Sequence, residues 1–274
     1  LNMMQNIFPF LRKKVQGLSF RDRIVFALQY FESIRAFKQA KRIIVTSNFA
    51  RDYLINNLDI PSEKISLIYF GKDSYVQNDT RPNSIPLGLE SKFLFAAGSL
   101  ESYRGIEDII EAVRYIKKEQ TDLKVVIAGN ARPSMRKYQR KLLRLCESYS
   151  LTHNIIWVGQ LNQDELTWCY QNCAVFMMTS RMETFGMVGL EAMTNGCLCI
   201  AADNPPLPEI FLDCAYYYPP KDYRALAELI RKVSFLDNEA KLEMKNKAKN
   251  RAEYFTWDKA ADALVKEFKI AKEG

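Results

Sequence analysis

Residues 92–113 read KFLFAAGSLESYRGIEDIIEAV. An unbroken apolar run from Phe93 to Ala97 stops at Gly98, a short polar loop ends at Gly105, and from Ile106 apolar residues recur at helical spacing. A strand that is apolar at every position has both faces covered. A strand, a glycine-bounded loop and a helix of this size form one unit of a doubly wound sheet. The spacing predicts a strand over 93–97 and a helix from Ile106 to about Glu119.

The same unit repeats downstream. Strands are predicted over 123–128, 155–158, 174–178 and 197–201, with helices over 135–149, 164–171 and 186–195 between them. Such alternation implies an α/β fold, a Rossmann-like doubly wound parallel sheet with right-handed crossovers. Ligands of these sheets sit beyond the carboxyl ends of the strands. From about Asp222 the tail reads as mostly helical. Upstream, Phe20, Ile24, Ala27, Leu28, Phe31 and Ile34 recur at helical spacing and predict an amphipathic helix to about Lys41. A strand over 42–46, a helix capped by Ser47 or Asn48 and running to about Asn57, and a strand over 65–70 follow. Residues 71–89 are rich in Asn, Ser, Pro, Asp and Gly, as a linker is. The expected organisation is a first segment 1–73, a linker 74–91, a sheet domain 92–254 and a final helical segment 255–274.

The composition is that of an ordinary globular protein, with 48% hydrophobic and 26% charged residues over 274 positions. No apolar run approaches the roughly 20 residues that span a bilayer. The chain opens on Leu1 with no signal-peptide pattern, as a piece of a longer protein would. Cys146, Cys169, Cys173, Cys197, Cys199 and Cys214 form no CxxC pair, and His153 is the one histidine. These spacings suit reduced thiols in a cytoplasmic protein better than a zinc site. His153 lies in a Thr-His-Asn turn and reads as a surface residue. Through Arg42 the chain carries nine Lys or Arg against Asp22 and Glu32, which accounts for the whole net charge of +7. Such local basicity argues against a general nucleic-acid binder and for one electrostatic surface.

Three strand-to-helix loops carry candidate chemistry. In the first, Gly98 to Gly105, the glycines permit tight turning, and Arg104 stands just before a helix start, where an anion is favoured. An arginine there can grip a phosphate through two parallel hydrogen bonds. The second, Gly129-Asn130-Ala131-Arg132-Pro133, precedes a helix that Pro133 can start. Each of the two is also readable as a plain connector.

The third loop runs Thr179-Ser180-Arg181-Met182-Glu183-Thr184-Phe185-Gly186-Met187-Val188-Gly189-Leu190-Glu191. Gly186 and Gly189 thin the helix entrance, so that a diphosphate can reach the amides of Met187 and Val188. Were the stretch helical throughout, Glu183 and Glu191 would stand about 12 Å apart. A retaining glycosidase pair needs only about 5 Å. The spacing therefore suits two anchors for one elongated ligand; the plainer alternative is a helix-dipole glutamate and a solvated one. Asn204-Pro205-Pro206-Leu207-Pro208-Glu209 reads as a rigid turn on the same face, with Glu209 either meeting the ligand or, the favoured reading, capping a helix.

Residues 180–193 resemble the Glu-x7-Glu motif of glycosyltransferase family 4, residues 196–201 the strand that follows it, residues 98–105 the family's phosphate loop, and Phe255-Thr256-Trp257 the signature opening its last helix. The similarity runs from about Arg42 to Phe268. The resemblance implies a GT-B fold, two Rossmann-like domains facing a cleft, with residues 92–254 as the donor-binding domain. Residues 1–73 resemble only the end of the other domain. The remainder of that domain, with its acceptor site and usual histidine, is then expected elsewhere in a longer protein or in a separate chain.

By that resemblance Glu183 contacts the transferred sugar as the catalytic carboxylate, and Glu191 holds the ribose. Phe185, Gly186, Met187 and Val188 meet sugar and diphosphate. Gly98, Ser99 and Arg104 form the phosphate loop, and Gly159, Gln160 and Leu161 meet the base. No metal or other cofactor is implied. Two positions depart from the family pattern: Ser99 stands where an arginine is usual, and Asn204-Pro205-Pro206 replaces a common Gly-Gly. The implied activity is retaining transfer from a nucleoside-diphosphate sugar to a glycan or lipid-linked acceptor of cell-surface polysaccharide synthesis, in the cytoplasm. The basic, aromatic-interleaved residues 8–42 either face a membrane at its inner surface or pack on further protein. Two other readings remain open. One is a non-catalytic nucleotide-sugar-binding module or split-enzyme subunit; the other is a sugar-nucleotide epimerase, which a chain with one histidine suits poorly.

Overall fold

The computed structural model describes residues 1–11, 20–74, 77, 79–117 and 121–273. The chain builds two parallel sheets on two cores. The first sheet holds β1 (Asn2–Met4), β2 (Ile43–Val45) and β3 (Ile65–Leu67), in the order β1-β2-β3. Its crossovers are α1 (Phe20–Gln39) and α2 (Asn48–Leu58). The Ser47 hydroxyl accepts from Ala50 N at 3.2 Å and caps α2, and Asp59 ends it in the left-handed region at φ 52°. The expected strand over 65–70 stops at Leu67, because Tyr69 and Phe70 peel away to pack edge-on and tilted against Phe185 and Phe255.

The face by which α1 packs also differs from the predicted stripe. Its one fully buried residue is Phe37, and Phe37 and Tyr30 meet Phe10 at ring separations of 6.0 and 5.4 Å. These contacts turn Phe20, Leu28 and Phe31 outward, with 80%, 58% and 64% of their surface exposed. The basic Arg12, Lys13 and Lys14 lie outside the described residues. No helix among the described residues is long and apolar enough to cross a membrane.

The larger sheet holds β4 (Phe93–Ala97), β5 (Lys124–Ala128), β6 (Ile155–Gly159), β7 (Val175–Met178), β8 (Cys199–Ala202) and β9 (Ala215–Tyr218). All pairs are parallel, in the order β6-β5-β4-β7-β8-β9. Its helices are α3 (Ile106–Ile116), α4 (Arg136–Ser148), α5 (Gln163–Asn172), α6 (Met187–Thr194), α7 (Leu207–Phe211), α8 (Tyr223–Ser234) and α9 (Asn238–Ala252). The last residues of the helix predicted to Glu119 lie outside the described residues. The strand predicted to begin at Cys197 begins at Cys199, since Gly196 turns the chain in the left-handed region at φ 68°. The final helix, α10 (Trp257–Glu273), returns to the first sheet, where Arg42 Nε donates to Glu267 at 2.5 Å.

The chain leaves β4 in one direction to β5 and β6, then crosses back to β7 and continues the other way. The order reverses between β4 and β7, so the loops leaving these two strands flank the crevice in which such sheets bind ligands. They are the loops beginning at Gly98 and Thr179.

Candidate functional site

The two central loops are laced together. Thr179 Oγ1 donates to the Arg104 carbonyl at 2.7 Å, and Arg181 N donates to the Tyr103 carbonyl at 2.7 Å. This closeness needs Gly105: a Cβ there would lie 2.3 Å from the Thr179 oxygen, and its φ of 66° is left-handed. Arg181 is anchored in turn by buried Asp108, at 2.6 Å. Asp108 also accepts from Tyr218 and from Lys221 N.

The lacing brings Arg104 onto Glu183. Arg104 Nη1 donates to Glu183 Oε1 and, at 3.3 Å, to Ser180 Oγ. Glu183 is buried, with 6% of its surface exposed. Burial pushes its carboxyl above the usual range, against the opposing effects of Arg104 and Ser180. Glu191 stands on α6. The stretch between the two glutamates is not helical throughout, because α6 begins only at Met187; the distance reckoned from a continuous helix therefore does not apply. Burial raises the Glu191 carboxyl too, opposed by the hydrogen bond from the Tyr170 hydroxyl at 2.9 Å.

Gly98, Ser99, Gln160, Leu161, Val188 and Glu191 line one cavity of about 380 Å³, joined by Gly129, Asn130 and Tyr170. Gly159 sits at its edge, its carbonyl accepting from Gly129 N at 2.6 Å. Met187 and Glu191 also line a neighbouring cavity of about 270 Å³, walled on its far side by Lys72, Asp73 and Asp164. Gly186 precedes α6 at φ 106°, and no side chain caps that helix. Its first-turn amides and positive dipole end are the natural place for an anion. Phe185 does not project into either cavity. Its ring is buried against Phe70 and Phe255, at 5.4 and 5.7 Å, so only its backbone can serve a ligand. No group of three or more His, Cys, Asp or Glu among the described residues is placed to hold a metal ion.

The signature loop is also wedged between the two cores. Ile7 N donates to Thr184 Oγ1 at 3.1 Å, Ser47 Oγ donates to the Thr184 carbonyl at 2.8 Å, and Met182 packs in the smaller core. Glu209 is a cap, though of a distant helix. Its carboxylate accepts from Asn48 N at 2.7 Å, Phe49 N at 3.4 Å and the Tyr69 hydroxyl at 2.7 Å, so it closes the start of α2. Sequence reading missed Tyr170, and it placed Asn130 and Thr184 in candidate loops without giving either a role. The helix around Tyr170, Thr167-Trp168-Cys169-Tyr170-Gln171-Asn172, carries no local mark of a site.

Residues 77–253 match the model of the family described as glycosyl transferases group 1. The chain is 26% identical over 263 residues to an uncharacterized glycosyltransferase, MJ1607, of Methanocaldococcus jannaschii, covering 92% of this chain and 65% of that protein. It is 26% identical over 247 residues to the serotype-specific mannosyltransferase WbdA of Escherichia coli, covering 87% of this chain and 30% of WbdA. The chain thus spans less than two thirds of the length of either relative. Among solved structures, sucrose-phosphate synthase from Thermosynechococcus elongatus superposes with a TM-score of 0.79 at 21% identity, over 97% of this chain and 66% of its own. Anabaena Alr3699/HepE in complex with UDP-glucose superposes with a TM-score of 0.75 at 16% identity, over 99% and 71%. These likenesses show the GT-B fold.

Proposed function

The chain belongs to the glycosyl transferases group 1 family, and from that premise we propose that it is the donor-binding part of a retaining glycosyltransferase of family 4. It takes a sugar from a nucleoside-diphosphate sugar and passes it to a glycan or lipid-linked acceptor. The observation that carries this reading is the placement of Glu183 and Glu191 on either side of the uncapped start of α6, with Glu191 in the wall of a cavity of about 380 Å³ and Glu183 buried outside that wall. Ionised carboxylates accept hydrogen bonds from hydroxyls and repel phosphate. Glu183 is assigned the transferred sugar, Glu191 the ribose, and the amides of Met187 and Val188 the diphosphate between them. Preorganised amides stabilise the charge that develops on a leaving diphosphate. Gly98 and Ser99 form the opposite wall, and Gly159, Gln160 and Leu161 the base end. The reading calls on no metal or other cofactor and on no nucleic acid.

That HepE was solved with UDP-glucose and that WbdA is a mannosyltransferase support a nucleotide-sugar donor. Calorimetry with UDP-, GDP- and ADP-sugars tests the reading, followed by a transfer assay with the binding donor. Saturable binding lost on Glu191→Ala is expected. Binding with neither transfer nor donor hydrolysis would favour a non-catalytic subunit whose other half supplies the acceptor site.

The acceptor reading extends to a surface. Exposed Phe20, Ile24, Leu28 and Phe31 on α1 lie among Arg21, Arg23, Arg35 and Lys38. Such a face suits an anionic membrane surface, reached from the cytoplasmic side. Co-sedimentation with vesicles should rise with anionic lipid content; sedimentation independent of that content counts against the membrane.

A further inference from the structure

We propose that Arg104 acts in this site through Glu183, as the positioning residue that keeps the carboxylate ionised and aimed at the donor's sugar, and is not the cation of the diphosphate. The inference rests on the donor-site reading above. A loop arginine ahead of a helix start is expected to reach for phosphate. Here Nη1 of the guanidinium is committed elsewhere, while Nε is buried without a hydrogen-bond partner among the described residues. Nη1 serves Glu183 and Ser180, and the guanidinium carbon stands 5.6 Å from the centre of the Tyr103 ring. That ring packs on Phe8 at 4.3 Å, and the Arg104 carbonyl is held by Thr179. The side chain is therefore held by the Nη1 bonds and the Tyr103 ring, and its backbone by Thr179, with 17% of the side chain's surface exposed.

To reach a phosphate through Nη1, Arg104 would have to abandon a buried carboxylate. Among the described residues, the charged or titratable side chains that interact with Glu183 are Arg104 and Tyr103. Ser180 and Thr184 on the loop, and the Ile7 amide and Ser47 from the first sheet's side, add neutral contacts, and the loop's other charge, Arg181, is taken up by Asp108 and Glu107. A buried carboxylate left without its cation takes up a proton, and a protonated Glu183 loses half its capacity as an acceptor for sugar hydroxyls. The same pair explains how a site with Ser99 in place of an arginine works: the diphosphate is left to the amides of α6, and the one arginine in the loop serves the sugar end.

The test separates the two ends of the donor. UDP, GDP and ADP, and the sugar conjugates UDP-glucose, GDP-mannose and ADP-glucose, are titrated calorimetrically into the wild type, Arg104→Gln, Arg104→Lys, Glu183→Gln and the double variant R104Q/E183Q. Expected is that R104Q binds the free diphosphate as wild type does and binds the conjugate about tenfold more weakly. Its acid limb of conjugate binding should move to higher pH, with R104K restoring part of the loss. In the E183Q background, R104Q should cost nothing further, and that pair folds without an unpaired buried charge. Loss of free-diphosphate affinity on R104Q, additive effects in the double variant, or an unmoved acid limb would each overturn the proposal. If no nucleotide binds the wild type, the donor-site reading itself falls.

Discussion

The Tyr170 hydroxyl donates to Glu191 Oε2 at 2.9 Å, so the second signature carboxylate is held from beneath by a buried side chain of α5. A hydrogen bond to a charged group contributes about 1.5–3 kcal/mol. Tyr170→Phe keeps the ring that packs on Phe95 and Phe176, at 5.4 and 5.5 Å, and removes only the bond. The fold should persist, and donor affinity should fall by roughly ten- to a hundredfold. Because the bond holds the Glu191 carboxyl down, the variant's binding should also fade at a higher pH than wild type. Calorimetry across a pH series checks both; unchanged affinity would remove Tyr170 from the site.

Glu191 also sets up a conflict between stability and function. Burial raises its folded pKa above the unfolded value. A raised carboxyl contributes stability below the unfolded pKa and loses it as pH rises through the folded one. Glu191→Gln should therefore melt higher than wild type at neutral pH, with the gap closing toward acid, while donor binding weakens. Thermal melts from acid to neutral pH give the first part and calorimetry the second. A variant that melts lower at neutral pH would contradict the sign.

Glu267 has the opposite sign. Its hydrogen bond to Arg42 lowers its carboxyl, so its contribution is present above the unfolded pKa and lost as pH falls through the folded one. Glu267→Gln should melt lower than wild type at neutral pH and converge with it in acid. Since the bond joins α10 to the end of the first crossover, amide exchange should rise first in α10.

Glu209→Ala removes the carboxylate that closes α2. Loss of such a cap costs about 0.5–2 kcal/mol, or about 2–4 °C per kcal/mol in a domain of this size. The three donors lie on the first sheet's side and the carboxylate on the other. Thermal melting should show the loss even without donor, and Glu209→Gln should recover part of it.

What could be read in advance follows from how local each signal is. The units around β4 to β8 are legible because their strands are continuously apolar, and because the chain turns at Gly98, Gly129 and Gly159 as it leaves β4, β5 and β6. β9 was not, because its sequence is Ala-Tyr-Tyr-Tyr and Tyr218 is buried by donating to Asp108, a partner 110 residues away. β1 holds three residues, opens on a polar Asn2 and becomes a strand only by pairing with β2. The site divides in the same way. The glutamates, glycines and Arg104 could be picked from loop chemistry. That Arg104 would turn to Glu183, 79 residues on, and Glu209 to Asn48, 161 residues back, depends on the packing of elements distant in sequence.

The glycines of the lacing allow a controlled test of whether loop contact, and not backbone conformation alone, builds the site. Gly105→Ala places a Cβ 2.3 Å from the Thr179 oxygen at φ 66°. Gly88→Ala meets nothing within 4 Å, at a comparable φ of 79°. Both pay the left-handed strain, about 1–3 kcal/mol at most. Only Gly105→Ala must also push the β4 and β7 loops apart, breaking the Thr179–Arg104 and Arg181–Tyr103 bonds. Gly88→Ala should therefore melt somewhat lower and bind donor normally. Gly105→Ala should melt lower still and lose donor binding at temperatures where circular dichroism shows the sheet intact. Equal binding by the two variants would mean that the two loops do not need each other to form the site.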